Sequence, residues 1–249
     1  MAKATKHHEV EDTITKITKK LEKFISQYLK VIIIAIAVIV IGLAAYFSLD
    51  YIFKIKGEKA NSAFGKIYLA YEDIINNKDI QGKDLNEKLL GLNEEFKVVL
   101  EEYPGTSAAS KSAYFMGDTL YKVKRYDDAL KYFQKGYSRG IAPNGFHLSG
   151  LKFSKTKSYI EIQCLKGEAS CYEQLEEYEK AEKVYMEIID RYDGSYIIPL
   201  VKYNLGQLYE KQDKFELAEK EYTQIVTNYG WSSWKDLAEK RLLLIKNFM

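Results

Sequence analysis

The sequence predicts an all-α chain: a single transmembrane helix followed by an α-solenoid of about four helix pairs plus a capping helix. Three observations carry that prediction. Residues 31–49, VIIIAIAVIVIGLAAYFSL, hold no charge in a chain that is 29% charged. Beyond Leu49 no strand alternation is sustained, and helical periodicity runs to the C-terminus. Three later segments repeat one pattern of small and aromatic residues at fixed offsets, the sign of a stacked array.

Residues 1–29 read as an amphipathic cytoplasmic tail. Val10, Ile14, Ile17, Leu21, Phe24, Tyr28 and Val31 follow alternating spacings of four and three. That is a heptad seam leading into the apolar run, and it could join copies of the chain as a homo-oligomer. The same residues also suit a helix lying on the inner membrane surface with its lysines at the headgroups. Three heptads are marginal for a free coiled coil, which favours the surface-lying helix. His7 and His8 are a terminal pair and make no metal site.

Residues 30–50 read as the membrane span. Nineteen helical residues reach about 28 Å, close to the ~30 Å hydrocarbon thickness. Twelve of the nineteen are Ile, Val, Leu or Phe, which favour insertion by roughly 4–7 kcal/mol. A lone strand in lipid could not satisfy its backbone groups, whereas a helix can. A signal peptide would have a shorter apolar core and shorter lead, and Ala44-Ala45 precedes Tyr46 and Phe47, a poor cleavage site. Lys16, Lys19, Lys20, Lys23 and Lys30 precede the run, against Lys54, Lys56, Lys59 and Lys66 after it. This small excess and the short tail place the N-terminus inside and the large domain outside.

Composition narrows the function. Residues 1–49 carry seven lysines against four acids, and residues 50–249 carry 30 basic and 31 acidic residues. Only Arg125, Arg139, Arg191 and Arg241 could supply bidentate forks, so nucleic acid is not an expected partner. Cys164 and Cys171 sit seven apart in a helical stretch, about 10 Å, too far for a disulfide. They read as free packing thiols. His147 is the sole histidine after residue 8, too few ligands for a metal. Phosphate loops, H-E-x-x-H helices, nucleophile elbows and dinucleotide fingerprints are all missing from the sequence. Ser170 and Cys171 have no nearby base. No enzyme activity and no cofactor are expected.

Residues 51–249 hold the repeats. In YFMGDTLYKVKRYDDALKYF, GEASCYEQLEEYEKAEKVY and YNLGQLYEKQDKFELAEKEY an alanine precedes an aromatic by four: Ala129 and Phe133, Ala181 and Tyr185, Ala218 and Tyr222. Twelve residues before each alanine stands Gly117, Ala169 or Gly206, then Leu120, Tyr172 or Tyr209 three further on. Tyr126, Tyr178 or Phe215 lies three before the alanine. Small residues on a first helix admit a second, the alanine packs into the crossing, and aromatics fill the gap to the next pair. The tyrosines need no catalytic explanation.

These segments resemble tetratricopeptide repeats. Linkers such as EFKVVLEEYPGTSAASKSAYFMG and VYMEIIDRYDGSYIIPLVKYNLG place Tyr103 or Tyr192 seven after Phe96 or Tyr185. Tyr222 and Tyr229 repeat that spacing. The pattern is similar to repeats of bacterial envelope proteins: the outer-membrane-assembly lipoprotein, the periplasmic partner of Tol-Pal, and the membrane-anchored ancillary subunit of the Sec translocon. In the last, an anchor precedes an A-x-x-A-x-x-x-Y helix; here Ala60 and Ala63 keep the first spacing, with Tyr68 five residues after Ala63 and Tyr71 three further on. The resemblance implies residence in the bacterial inner membrane with the repeats in the periplasm. It implies an adaptor that binds a peptide or helix of an envelope or translocation complex. The alternative is a structural subunit of a secretion or flagellar-motor collar. The concave face would be lined by Lys111, Tyr114, Asp118 and Tyr121, by Gln163, Lys166, Ser170 and Glu173, and by Leu200, Tyr203, Gln207 and Glu210. The asparagines that pair with lysines to clamp a chaperone's C-terminal carboxylate are missing at these places, so that activity is not carried over.

Two departures stand out. The first pair, residues 57–103, has Leu92 at the alanine position and a long connection through NNKDIQGKDLNEK. Between the second and third pairs the spacing grows from 37 to 52 residues, with GYSRGIAPNGFHLSGLKFSK read as a loop over 136–157. Phe146, His147 and Phe153 could touch a partner from it. The end, WKDLAEKRLLLIKNF, reads as a capping helix.

Overall fold

The computed structural model describes residues 2–139 and 159–246, which form nine α-helices and no strand. The chain divides into two compact units, Met1–Ile52 and Phe53–Met249.

The described residues of the first unit are all helical and belong to α1 (Ala2–Asn76). This helix is long and apolar enough to cross a membrane, and none of its apolar stretch is buried. Val10 lies outside the residues whose side chains are described, as does Ile14. From Ile17 onward the large seam residues are exposed.

In the second unit the end of α1 is followed by α2 (Gly82–Glu102), α3 (Ser107–Lys122), α4 (Tyr126–Arg139), α5 (Tyr159–Gln174), α6 (Tyr178–Arg191), α7 (Ile198–Glu210), α8 (Phe215–Asn228) and α9 (Trp234–Ile245). The first helices of the pairs are α3, α5 and α7, the second helices α4, α6 and α8. Each helix from α2 onward packs on the next, while α3 also touches α5 and α7 touches α9. This is the solenoid of stacked pairs that the repeats predict, with α9 as its cap. Ala129, Ala181 and Ala218 are wholly buried at the crossings.

The turns repeat as faithfully as the helices. Lys124, Glu176 and Asp213 take left-handed φ values of 62°, 59° and 55°. The next residue's N–H then returns to a carbonyl five back: Arg125 to Leu120, Glu177 to Tyr172 and Lys214 to Tyr209, each at 2.9 Å. That closes every first helix by the same 6→1 cap, with no glycine at the left-handed position. Helices α2, α6 and α8 end at Tyr103, Tyr192 and Tyr229, whose carbonyls accept from the N–H groups of Thr106, Ser195 and Ser232 at 3.3, 3.0 and 2.8 Å. Thr106 then caps α3, its hydroxyl accepting from the Ala109 N–H at 3.2 Å.

Two sequence expectations are corrected. The long connection of the first pair shrinks to residues 77–81, because KDLNEK already belongs to α2. Residues 136–139, expected in the loop, belong instead to α4, which continues to Arg139. Gly136 is there for close packing: a Cβ on it would meet the Cys164 sulfur at 2.7 Å. Phe146, His147 and Phe153 lie outside the described residues.

The first pair is sealed by aromatics in place of the alanine. Phe64, Phe96 and Phe115 have ring centroids 5.6–5.9 Å apart. Leu92 is buried where other pairs have alanine, and the neighbouring buried Asn93 accepts from the Thr119 hydroxyl. Cys164 and Cys171 are free and buried, and burial pushes both thiols up to about 12.

Candidate interaction face

The twelve residues expected on the concave face all lie on α3, α5 and α7, and every one is half-buried. A side chain in that state can pack against its own fold and still meet a partner. Their contacts divide them into two groups.

The acids are tied into the array. Glu173 accepts from the Tyr185 hydroxyl of α6 at 2.6 Å and from Lys211, the residue that caps the end of α7, at 2.6 Å. Glu210 repeats this one pair later: Tyr222 of α8 donates at 2.5 Å, and Arg241 of α9 donates through Nε at 2.9 Å and again through its other nitrogen. Each knot thus joins a first helix to its own second helix and to the element stacked next, the end of α7 in one case and the capping helix α9 in the other. Burial, with the carboxylate beside it, holds the Tyr185 and Tyr222 phenols far above the usual range, so both remain donors. Asp118 accepts from Tyr71 of α1 at 2.5 Å and from Lys122. Ser170 bonds to the Tyr185 hydroxyl.

The other group is committed less tightly. Lys111 sits 5.6 Å from the Phe64 ring centroid. Lys166 donates to Gln163 at 3.3 Å, and burial lowers its affinity for a proton. Neither lysine has a carboxylate partner among the described residues. Tyr114 rests edge-on against Phe115 at 5.1 Å, and Tyr121 meets Tyr126 at 5.3 Å. Tyr203 lies 5.2 Å from Trp234. Leu200 packs on the edge of the core, and Gln207 is half-buried beside them. The face therefore offers aromatic rings, amides and two lysines that lack acids, while its own acids are neutralised.

Several positioning residues escape the repeat pattern. Lys211 and Arg241 complete the knots, and their distance from Glu173 and Glu210, close to one repeat, is the signal that could have found them. Gly167 is another. A Cβ there would stand 2.5 Å from the Phe133 ring, although Gly167 is only two residues from the expected small position, Ala169. Lys202 is buried and donates to Glu221 at 2.9 Å and Gln224 at 2.5 Å, a charge pair closed between α7 and α8. No group of three His, Cys, Asp or Glu side chains is placed to hold a metal among the described residues.

The tetratricopeptide repeat family matches residues 161–193 and 201–228, the pairs α5–α6 and α7–α8. Among solved structures the chain is similar to a tetratricopeptide repeat protein from Parabacteroides merdae, with 18% identity and a TM-score of 0.53. That likeness covers 77% of this chain and 61% of the other. No curated protein matches the chain.

Proposed function

We propose that the chain is a membrane-anchored adaptor. Tetratricopeptide repeats form a protein–protein interaction module, and the half-buried face of α3, α5 and α7 is its binding surface. In this reading residues 1–29 are a cytoplasmic tail, 30–50 span the bacterial inner membrane, and 51–249 display the repeats in the periplasm. The partner is a peptide or helix of an envelope or translocation complex. The observation that carries the reading is the division of the face. Asp118, Glu173 and Glu210 are used within the array, while Lys111 and Lys166 meet no carboxylate among the described residues. An entering segment with carboxylates and apolar side chains fits that surface: it would pair with the lysines and lie on Tyr114 and Tyr203.

Protease treatment of sealed inner-membrane vesicles tests the anchor and its orientation. The adaptor reading expects residues 51–249 to stay with the membrane and to resist a protease added from the cytoplasmic side. Digestion of the repeats from that side reverses the orientation, and recovery of the chain in the soluble fraction removes the anchor.

A further inference from the structure

The heptad stripe of the tail does not stop at the membrane. Continuing its alternation past Ile17, Leu21, Phe24, Tyr28 and Val31 reaches Ala35, Val38, Gly42, Ala45, Leu49 and Ile52. The next position is Lys56, so the stripe ends where the first unit ends. Helix α1 is unbroken across this stretch, which contains no proline and a single glycine. One phase therefore runs from tail to apolar run.

That continuity decides between the two readings of the tail. A helix lying on the membrane surface must bend sharply at the headgroups, and such bends need proline, paired glycine or serine, or a bulge. Between Ile17 and Gly42 there is no proline or glycine, and α1 does not break. A coaxial tail holds Ile17 about 20 Å beyond Val31, out of reach of lipid. Ile17, Leu21 and Phe24 are 57–58% exposed in one copy, so a row of large apolar side chains beyond the lipid needs a protein surface.

Charge points to a copy of the same helix. Lys16, Lys23 and Lys30 fall on one line away from the stripe, with Lys19 beside them. The flanking positions carry Thr18, Ile25 and Gln27, leaving Lys20 as the one charge there. Two parallel copies could close on the stripe without opposing acids or a lysine row. Inside the lipid the stripe changes from large residues to Ala35, Gly42 and Ala45. No atom lies within 4 Å of a Cβ built on Gly42, which leaves room for close backbone approach, the basis of helix pairing in membranes.

We propose that the stripe from Ile17 to Ile52 pairs the chain with a second copy of itself, as a parallel two-helix assembly continuous through tail and membrane. The proposal rests on the anchor reading, because insertion in one membrane makes the copies parallel and level.

Single-cysteine scanning of the full chain in its membrane, with oxidative crosslinking, tests it. Cys164 and Cys171 are buried, and their protonated thiols leave a low background. The expected result is a dimer band that rises at least tenfold at Leu21, Phe24, Tyr28, Gly42 and Ala45 over Lys19, Lys23 and Ser26. A flat profile, a maximum on the lysine face, or a membrane-bound chain that forms no dimer overturns the pairing and leaves the anchor intact. A chain missing from the membrane fraction overturns the anchor and the parallel pairing together. The double variant Leu21→Lys/Tyr28→Lys should abolish crosslinking from Gly42→Cys while the chain remains in the membrane. Unchanged crosslinking at Gly42→Cys would show that the tail takes no part, against the continuous seam.

Discussion

The pairs α3–α4 and α7–α8 close the same crossing in different ways. In α7–α8 the Tyr222 ring lies on Gly206, and its hydroxyl joins a knot with Glu210 and Arg241. In α3–α4 the equivalent residue is Phe133, which has no hydroxyl to place. Tyr121 stands where Glu210 would, and a second glycine, Gly167 of α5, lies against the ring with Gly117. One pair reaches its neighbour through charge and hydrogen bonds, the other through close packing. The repeat therefore conserves a shape, a flat ring on a small residue, and is free in the chemistry used to reach the next helix.

The largest way to break that equivalence is to remove the ring. Phe133→Ala should cost about 3–5 kcal/mol in chemical unfolding of the repeat unit, as buried aromatic truncations do. Next comes the knot. Glu210→Gln should cost about 1.5–3 kcal/mol, since it discharges the acceptor of Arg241 and Tyr222. The matching change Tyr121→Gln should cost less, about 0.5–1.5 kcal/mol, since it gives up the ring contact with Tyr126 and no charged knot. Equal losses would remove the distinction between the pairs. Gly167→Ala forces a methyl into the Phe133 ring and should cost about 1–3 kcal/mol, whereas Gly91→Ala, with nothing within 4 Å, should gain about 0.5–1 kcal/mol from the helix interior.

The smallest effect is a pH slope. Burial raises the Glu168 carboxyl above the usual glutamate range, against a bond from Gln134 that lowers it. The folded state then binds its proton more readily than the unfolded chain. Stability contributed by this group should fall as pH rises from the ordinary glutamate range through the raised value. Thermal unfolding across that window should show a shallower decline in Glu168→Gln. An identical slope would mean that the carboxyl is not perturbed by folding.

Much of this fold was legible because its rules are periodic. Ala129, Ala181 and Ala218, the glycines at 117 and 206, and the tyrosines closing second helices all recur at fixed offsets, and the structure puts each to one repeated use. What stayed hidden has no such signal. Lys124, Glu176 and Asp213 adopt the left-handed turn without the glycine that would mark it. The buried Lys202–Glu221 pair looks in sequence like ordinary helix surface. The knots join residues a repeat apart, so a search within one repeat cannot see Lys211 and Arg241. The candidate face was legible as positions on first helices. Its division into committed acids and lysines that meet no carboxylate among the described residues came only with the contacts.

That division is the central claim, and site-specific photo-crosslinking of the full chain in its native membrane tests it most directly. A crosslinker at Gln207 should trap a partner, while one at the exposed Met186 of α6 should not. The trapped band should fall at least tenfold when Lys111 and Lys166 are both changed to Glu, and should persist in Tyr222→Phe, which alters the knot alone. Equal trapping from both sites, or capture indifferent to the lysines, would contradict the account.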